Sequence, residues 1–172
     1  MVCPNTGISR VSFFCNRIIF LLDEPVGLSE ALRPLYLYWL AVRGEKLIPS
    51  RADIDPVTIP RELLPNIVLM DIILSPLRFR YRLMGTAITE MLGVDWTGRY
   101  VDELPGGGVH EQCAETLKAG KPGVYFSDQR RYDPNLMQHK SLRYERLLLP
   151  LSDGGQSVTM LLGGTLVKSS HW

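Results

Sequence analysis

Few residues in this chain combine the type and spacing that chemistry needs. The most unusual local pattern is Arg78, Arg80 and Arg82, which alternate with Phe79, Tyr81 and Leu83. A guanidinium presents a planar fork matched to carboxylate and phosphate, so such a stripe can make an anion site. It can also be the solvated face of an edge strand, where charge blocks unwanted pairing. The second reading is preferred, because Phe79 and Tyr81 suit the buried side better than arginine does. Arg51 and Asp53 can hold a ligand, or they can cap and pin a loop full of backbone polar groups. Trp39, Trp96, Tyr81, Tyr125 and Phe126 can line a cavity, or simply fill a core. The candidate ligand-binding set is Phe79, Tyr81, Trp96, Tyr125, Arg51 and Arg82.

Catalytic constellations find little support. His110, His139 and His171 are far apart, and no HExxH or His/Cys cluster joins them, so no metal site is expected. Cys113 falls on an apolar helical stripe and reads as a small core residue, although His110 lies three positions away on the same helix. Gly106-Gly107-Gly108 lacks the Gly-Lys-Ser/Thr ending of a phosphate-binding loop and reads as a turn. The Gly-x-Ser-x-Gly elbow of many hydrolases is absent. We therefore expect no enzyme.

The elements that must position these residues follow from periodicity. Leu32, Leu35, Tyr36, Trp39 and Leu40 make one helical face between Ser29 and Arg43, with Gly44 as a stop and Pro34 near the start. Gly44 to Asn66 holds four prolines but keeps Leu47, Ile48, Ile54, Ile59, Leu63 and Leu64, which suggests an ordered strap with a short helix at Arg61 to Leu64. Ile67 to Leu74 and Arg78 to Leu83, joined by Ser75-Pro76, read as an antiparallel hairpin. Short helices follow from Thr86, as N-cap, to Gly93, and from Val109 to Ala119. Strands are expected at Val124 to Tyr132, Leu142 to Leu151 and Val158 to Val167, the last two flanking Ser152-Asp153-Gly154-Gly155. The expectation is an α+β domain: a five-stranded antiparallel sheet with helices on one face and the first helix packed beside it. Phe79, Tyr81 and Leu83 should face the helices, with the three arginines turned away.

Composition bounds the partners. The chain has 172 residues, 45% hydrophobic and 22% charged, which suits one ordinary domain. A net charge of +1 gives no electrostatic case for nucleic acid. Three scattered cysteines, Cys3, Cys15 and Cys113, argue against a disulfide framework and fit a reducing cytoplasm. Val11 to Leu22 is apolar but interrupted by Asn16 and Arg17, and it is short of the roughly 20 apolar residues of a membrane span. Asp23-Glu24-Pro25 follows it in place of a small-residue cleavage site. The segment reads as a docking piece or an extension from an upstream start.

Local motifs sharpen this outline. Tyr38-Trp39, Pro49-Ser50-Arg51-Ala52-Asp53-Ile54-Asp55-Pro56, Phe79-Arg80-Tyr81-Arg82-Leu83-Met84-Gly85-Thr86 and Gly93-Val94-Asp95-Trp96-Thr97-Gly98-Arg99 carry the likeness. Leu148-Leu149-Pro150-Leu151-Ser152 and Leu161-Leu162-Gly163 look like the closing hairpin. From about Ser29 to Val167 the chain resembles a PAS-like domain family of mostly uncharacterised proteobacterial proteins. The resemblance implies a sensor or interaction domain that takes a small-molecule ligand between sheet and helices or engages a signalling protein. It also implies homodimers, and it leaves open which cofactor, if any, is bound. The division is residues 1–28 as an extension, 29–167 as the PAS-like domain and 168–172 as a tail. A ligand-free dimerisation adaptor is the alternative, and a small hydrolase the third reading. A homodimer is expected through the first helix, the N-terminal segment, or both, because Phe13, Phe14, Ile18, Ile19, Phe20, Leu21 and Leu22 have no evident slot in the domain core.

Overall fold

A computed structural model describes residues 25–104, 108–133, 138–154 and 156–171. The apolar N-terminal run and Gly106-Gly107 lie outside the described residues. The elements are α1 (Arg33–Arg43), β1 (Ile67–Leu74), β2 (Leu77–Met84), α2 (Thr86–Leu92), α3 (Val109–Ala119), β3 (Gly123–Asp133), β4 (Gln138–Leu151) and β5 (Met160–His171). The strands form one antiparallel sheet in the order β2-β1-β5-β4-β3. This is the expected α+β architecture.

Three details depart from expectation. The helix proper begins at Arg33, with Pro34 in its first turn, and Ser29 serves instead as the acceptor for a preceding turn. Gly85, not Thr86, occupies the cap position of α2. The third departure matters more, because both faces of the sheet are covered. On the outer face, α1 and the strap pack Leu32, Leu35, Tyr36, Trp39, Ile54 and Ile59 against Ile67, Leu69, Leu147, Leu149 and Leu162. On the inner face, α2, α3 and the segment around Trp96 to Val101 cover Val68, Met70, Phe79, Tyr81, Leu148 and Leu161. Burial on both sides makes the central strands near-continuous apolar runs instead of alternating ones.

The strap is ordered, as its apolar residues imply. It pairs with the end of β4 through Arg51 N donating to Ser152 O and Ser152 N donating to Pro49 O. Ser50 and Asp53 close a reciprocal cap around the turn at Arg51–Asp53. A second short turn spans Arg61–Asn66 and feeds β1. The apolar face of α1 is closed by Trp39, whose Nε1 donates to Pro150 O at 2.9 Å.

The β1–β2 hairpin carries a bulge. Leu69 pairs with Leu83 but Met70 pairs with Tyr81, so Arg82 is the extra residue. The bulge flips everything beyond it. Phe79 and Tyr81 are buried on the inner face, whereas Leu83 is 48% exposed on the outer one and Met84 takes the inward place. Leu83 therefore does not face α2 and α3, contrary to the simple alternation. The outer edge of β2 is not open. Gly98, at φ +87°, turns the chain so that Gly98 N donates to Tyr81 O and Arg99 O accepts from Tyr81 N. That local pairing explains the Trp96-Thr97-Gly98-Arg99 motif as a cover for a sheet edge.

Candidate functional site

The inner face of the sheet and α2–α3 enclose a cleft. Its walls are Val68, Met70, Met84, Leu148 and Gly163 from the strands and Ile88, Met91, Leu92 and Val109 from the helices. Its polar lining is Tyr81, Tyr144, Arg146 and Thr165. The remaining void is about 40 Å³. On a scale where one water needs roughly 10–15 Å³, that is room for a few waters.

Strand register sets the polar group. Arg146 on β4 lies directly between Thr165 of β5 and Tyr125 of β3. Its Nη1 donates to Gln112 Oε1 on α3, which ties the helix to the sheet. Burial holds the Arg146 guanidinium below the usual arginine range, against the raising influence of Tyr81, Cys113 and Tyr144. Glu145, the adjacent residue, points to the other face, where its Oε1 accepts from Ser29 N at 2.8 Å.

Burial likewise pushes the Tyr81 phenol up to about 12, with Arg146 pulling in the opposite sense. The Cys113 thiol is also pushed up to about 12 by burial, and its Sγ lies 3.8 Å from Met70 Sδ. A thiol so disposed stays protonated at neutral pH and is a poor nucleophile. His110 packs edge-on against Phe79, with ring centroids 5.2 Å apart. Among the described residues, no three His, Cys, Asp or Glu side chains converge as metal ligands.

Of the six residues singled out from sequence, Tyr81 alone lines this cleft. Phe79 is fully buried beneath it, and Trp96 packs in the same core with Arg99 over its ring. Tyr125 sits at the rim, its hydroxyl 2.9 Å from Thr116 Oγ1. Arg51 lies on the opposite face of the sheet, where its Nη1 donates to Ile54 O at 3.1 Å. There it borders a largely apolar groove of about 370 Å³ between the strap and Leu69, Leu83 and Leu162. Arg82 is exposed and bonds Asp71 at 2.8 Å, as does Arg80. Arg78 grips Asp102 with two donors at 2.9 Å and stacks over Tyr100 at 3.6 Å. The stripe is thus neutralised by its own neighbours, and the Asp102 carboxyl is held below the usual range by its bond from Arg78. The residues that sequence reasoning missed are Arg146, Tyr144, Thr165 and Gln112.

A family model described as PAS domain matches residues 28–166, and the chain belongs to that family, a signalling sensor fold. Among curated proteins, none matches. Several solved light-oxygen-voltage domains are similar. One comes from a study of a flavin analogue, with 18% identity over 61% of this chain and 78% of that one, at a TM-score of 0.44. Another is the LOV domain of an Erythrobacter litoralis blue-light activated histidine kinase, with 16% identity, 60% and 94% coverage and a TM-score of 0.43. A variant of RsLOV follows at 16% identity, 63% and 65% coverage and a TM-score of 0.41.

Proposed function

We propose that this PAS domain is a non-enzymatic sensor module of the cytoplasm, which binds a small ligand between sheet and helices and reports it to a separate signalling protein. The observation that carries this reading is a polar group, built around Arg146, at the floor of an otherwise apolar cleft. Interiors exclude such groups unless something satisfies them. The wall is adaptable, since Met84 at the end of β2 and Met91 on α2 are unbranched and repack at low cost. Signalling is then a population shift: ligand favours one of two placements of α2 and α3. The inert thiol of Cys113 and the packing of His110 on Phe79 favour sensing over nucleophilic chemistry.

The runner-up is a dimerisation adaptor with a filled core. It draws support from the small size of the void, since ligand pockets commonly measure about 300–1,000 Å³. Native mass spectrometry of the purified full chain separates the two. A retained small molecule supports the sensor. A ligand-free, stable dimer whose methionine methyl resonances ignore a broad small-molecule library supports the adaptor.

A further inference from the structure

We infer that the cleft recognises a short-chain monocarboxylate, of the size of acetate or propionate, through the guanidinium of Arg146 and the hydroxyls of Tyr81 and Thr165. This rests on the sensor reading above and names its ligand class.

The argument begins with charge. Arg146 lines the void, and among the described residues no carboxylate pairs with it. Its one hydrogen-bond partner there is the neutral side chain of Gln112. Arginine cannot shed its proton in a protein, so it stays a cation inside the fold. Arg146 is half-buried, so it is drawn partly from water without an anion beside it, and a bound anion offsets that desolvation. The arginines of β2, by contrast, have their acids: Arg78 has Asp102 and Glu103, while Arg80 and Arg82 share Asp71.

Donor geometry points the same way. Thr165 stands directly opposite Arg146 on the neighbouring strand. Neither the Thr165 nor the Tyr81 hydroxyl has a hydrogen-bond partner among the described residues, and neither is sealed from the cleft. The Tyr81 phenol is a donor at neutral pH in any case, and burial, which pushes it up to about 12, extends that into the alkaline range. A guanidinium fork and two hydroxyls together match the roughly four lone-pair sites of one carboxylate.

Size and wall chemistry select the rest of the ligand. The void of about 40 Å³ admits a few non-hydrogen atoms. The surfaces beyond the polar group are hydrocarbon and thioether, from Met84, Ile88, Met91 and Leu92. A methyl or ethyl group suits them. A phosphate dianion would bring a second charge with no second cation to meet it.

The test uses the full chain, thermal melting, and the methionine methyl resonances as reporters of Met84 and Met91. Sodium propionate is compared with sodium chloride at equal ionic strength, with sodium phosphate, and with neutral propanol. Propionate should raise the melting temperature in a saturable way and shift those resonances. Arg146→Gln should weaken propionate binding by at least about tenfold, because it removes a charge-assisted bidentate pair. Arg146→Lys keeps the charge without the planar fork and should also weaken it, which covers the case in which Arg146→Gln fails to fold. Wild-type protein that responds to propionate no more than to chloride overturns the inference, as does unaltered propionate binding by Arg146→Lys. If propanol alone moves the resonances, the cleft takes ligands and the sensor reading stands, but the carboxylate class is wrong. If phosphate binds and propionate does not, the class is likewise wrong. If none of these probes binds, the carboxylate class is wrong, and the sensor reading is decided separately by the retained-ligand measurement.

Discussion

Gly164→Ala isolates the contact that seats α1 on the sheet. Gly164 lies on central strand β5, paired with Ile67 of β1 and Leu147 of β4. A Cβ there would stand 2.8 Å from Leu35 Cδ2 and 2.9 Å from Leu32 Cδ2. Favourable carbon–carbon contact needs about 3.5–4.0 Å, so both methyls must retreat by roughly 0.6–1.2 Å. They have little room, since Leu32 and Leu35 are 0% exposed. Overpacking of this kind costs about 1–3 kcal/mol. Replacing glycine restricts the unfolded chain and returns about 0.5–1 kcal/mol. The net expectation is a loss centred on about 1 kcal/mol and at most about 2.5 kcal/mol. At about 2–4 °C per kcal/mol for a chain of this size, the melting temperature should fall by about 2–4 °C at the centre of that range and by at most about 10 °C. Urea unfolding measures the free energy, and its slope should not change. The mechanism is checked by a double-mutant cycle with Leu35→Ala, which alone should cost about 2–5 kcal/mol. The space it opens admits the new methyl, so the double variant should be less destabilised than the sum by about 1–2 kcal/mol. Equal or greater stability of Gly164→Ala, or strict additivity in the cycle, refutes the reasoning.

The next residue back gives the complementary prediction. Gly163 faces the cleft, and a Cβ there would meet Leu148 Cδ2 at 3.3 Å, tight but relievable. Gly163→Ala should alter stability by less than about 1 kcal/mol by urea titration, yet abolish the propionate-induced methyl shifts, because the methyl occupies the void. Alkaline stability should decline in a definite window. Cys113 and Tyr81 are both pushed up to about 12 in the fold, from ordinary values near 9 and 10. Above pH 9 the unfolded chain releases protons that the fold retains, so stability present below that pH is lost progressively toward pH 12. Urea midpoints measured across pH 8 to 11 should fall less steeply in Cys113→Ala combined with Tyr81→Phe. Association is tested by sedimentation of the full chain beside a version starting at Gly27. The full chain should be the dimer and the shorter one the monomer, because α1 has already committed Leu35, Tyr36 and Trp39 to its own sheet. Two monomers would exclude self-association through the first 26 residues.

The fold was legible where punctuation and pattern agreed. Pro65 and Ser75-Pro76 bracket Ile67–Leu74, and β1 has those bounds. Glycines bracket Val109–Ala119, and α3 has those bounds. The bulge at Arg82 was not legible, since nothing local marks it. It arises because Leu83 and Met84 serve different faces, a fact about tertiary packing and not about local propensity. Coverage of both faces was legible in principle. Leu147-Leu148-Leu149 and Met160-Leu161-Leu162 are unbroken apolar runs, and a strand with one wet face does not read that way.

The site was hidden by the same effect. Clean alternation draws attention to Arg78, Arg80 and Arg82, but that strand is an edge, where charges find acids and water. Glu145-Arg146 stands where the polar half of β4 meets its apolar run from Leu147 to Leu151, and its two side chains turn to opposite faces, Glu145 buried and Arg146 half-buried. Glu145 goes to the α1 side and meets Ser29; Arg146 goes to the cleft and meets Gln112. One dipeptide therefore ties the N-terminal turn to one face and α3 to the other. Beside it on β5, Gly163 borders the cleft while Gly164 receives Leu32 and Leu35 of α1. A ligand that moves Arg146 or widens the cleft acts on strands whose opposite face holds α1. Close-packed interiors transmit such displacements instead of absorbing them. If the proposed sensor reading holds, a signal in the cleft reaches the opposite face through β4 and β5, and α1 is the element packed there to receive it.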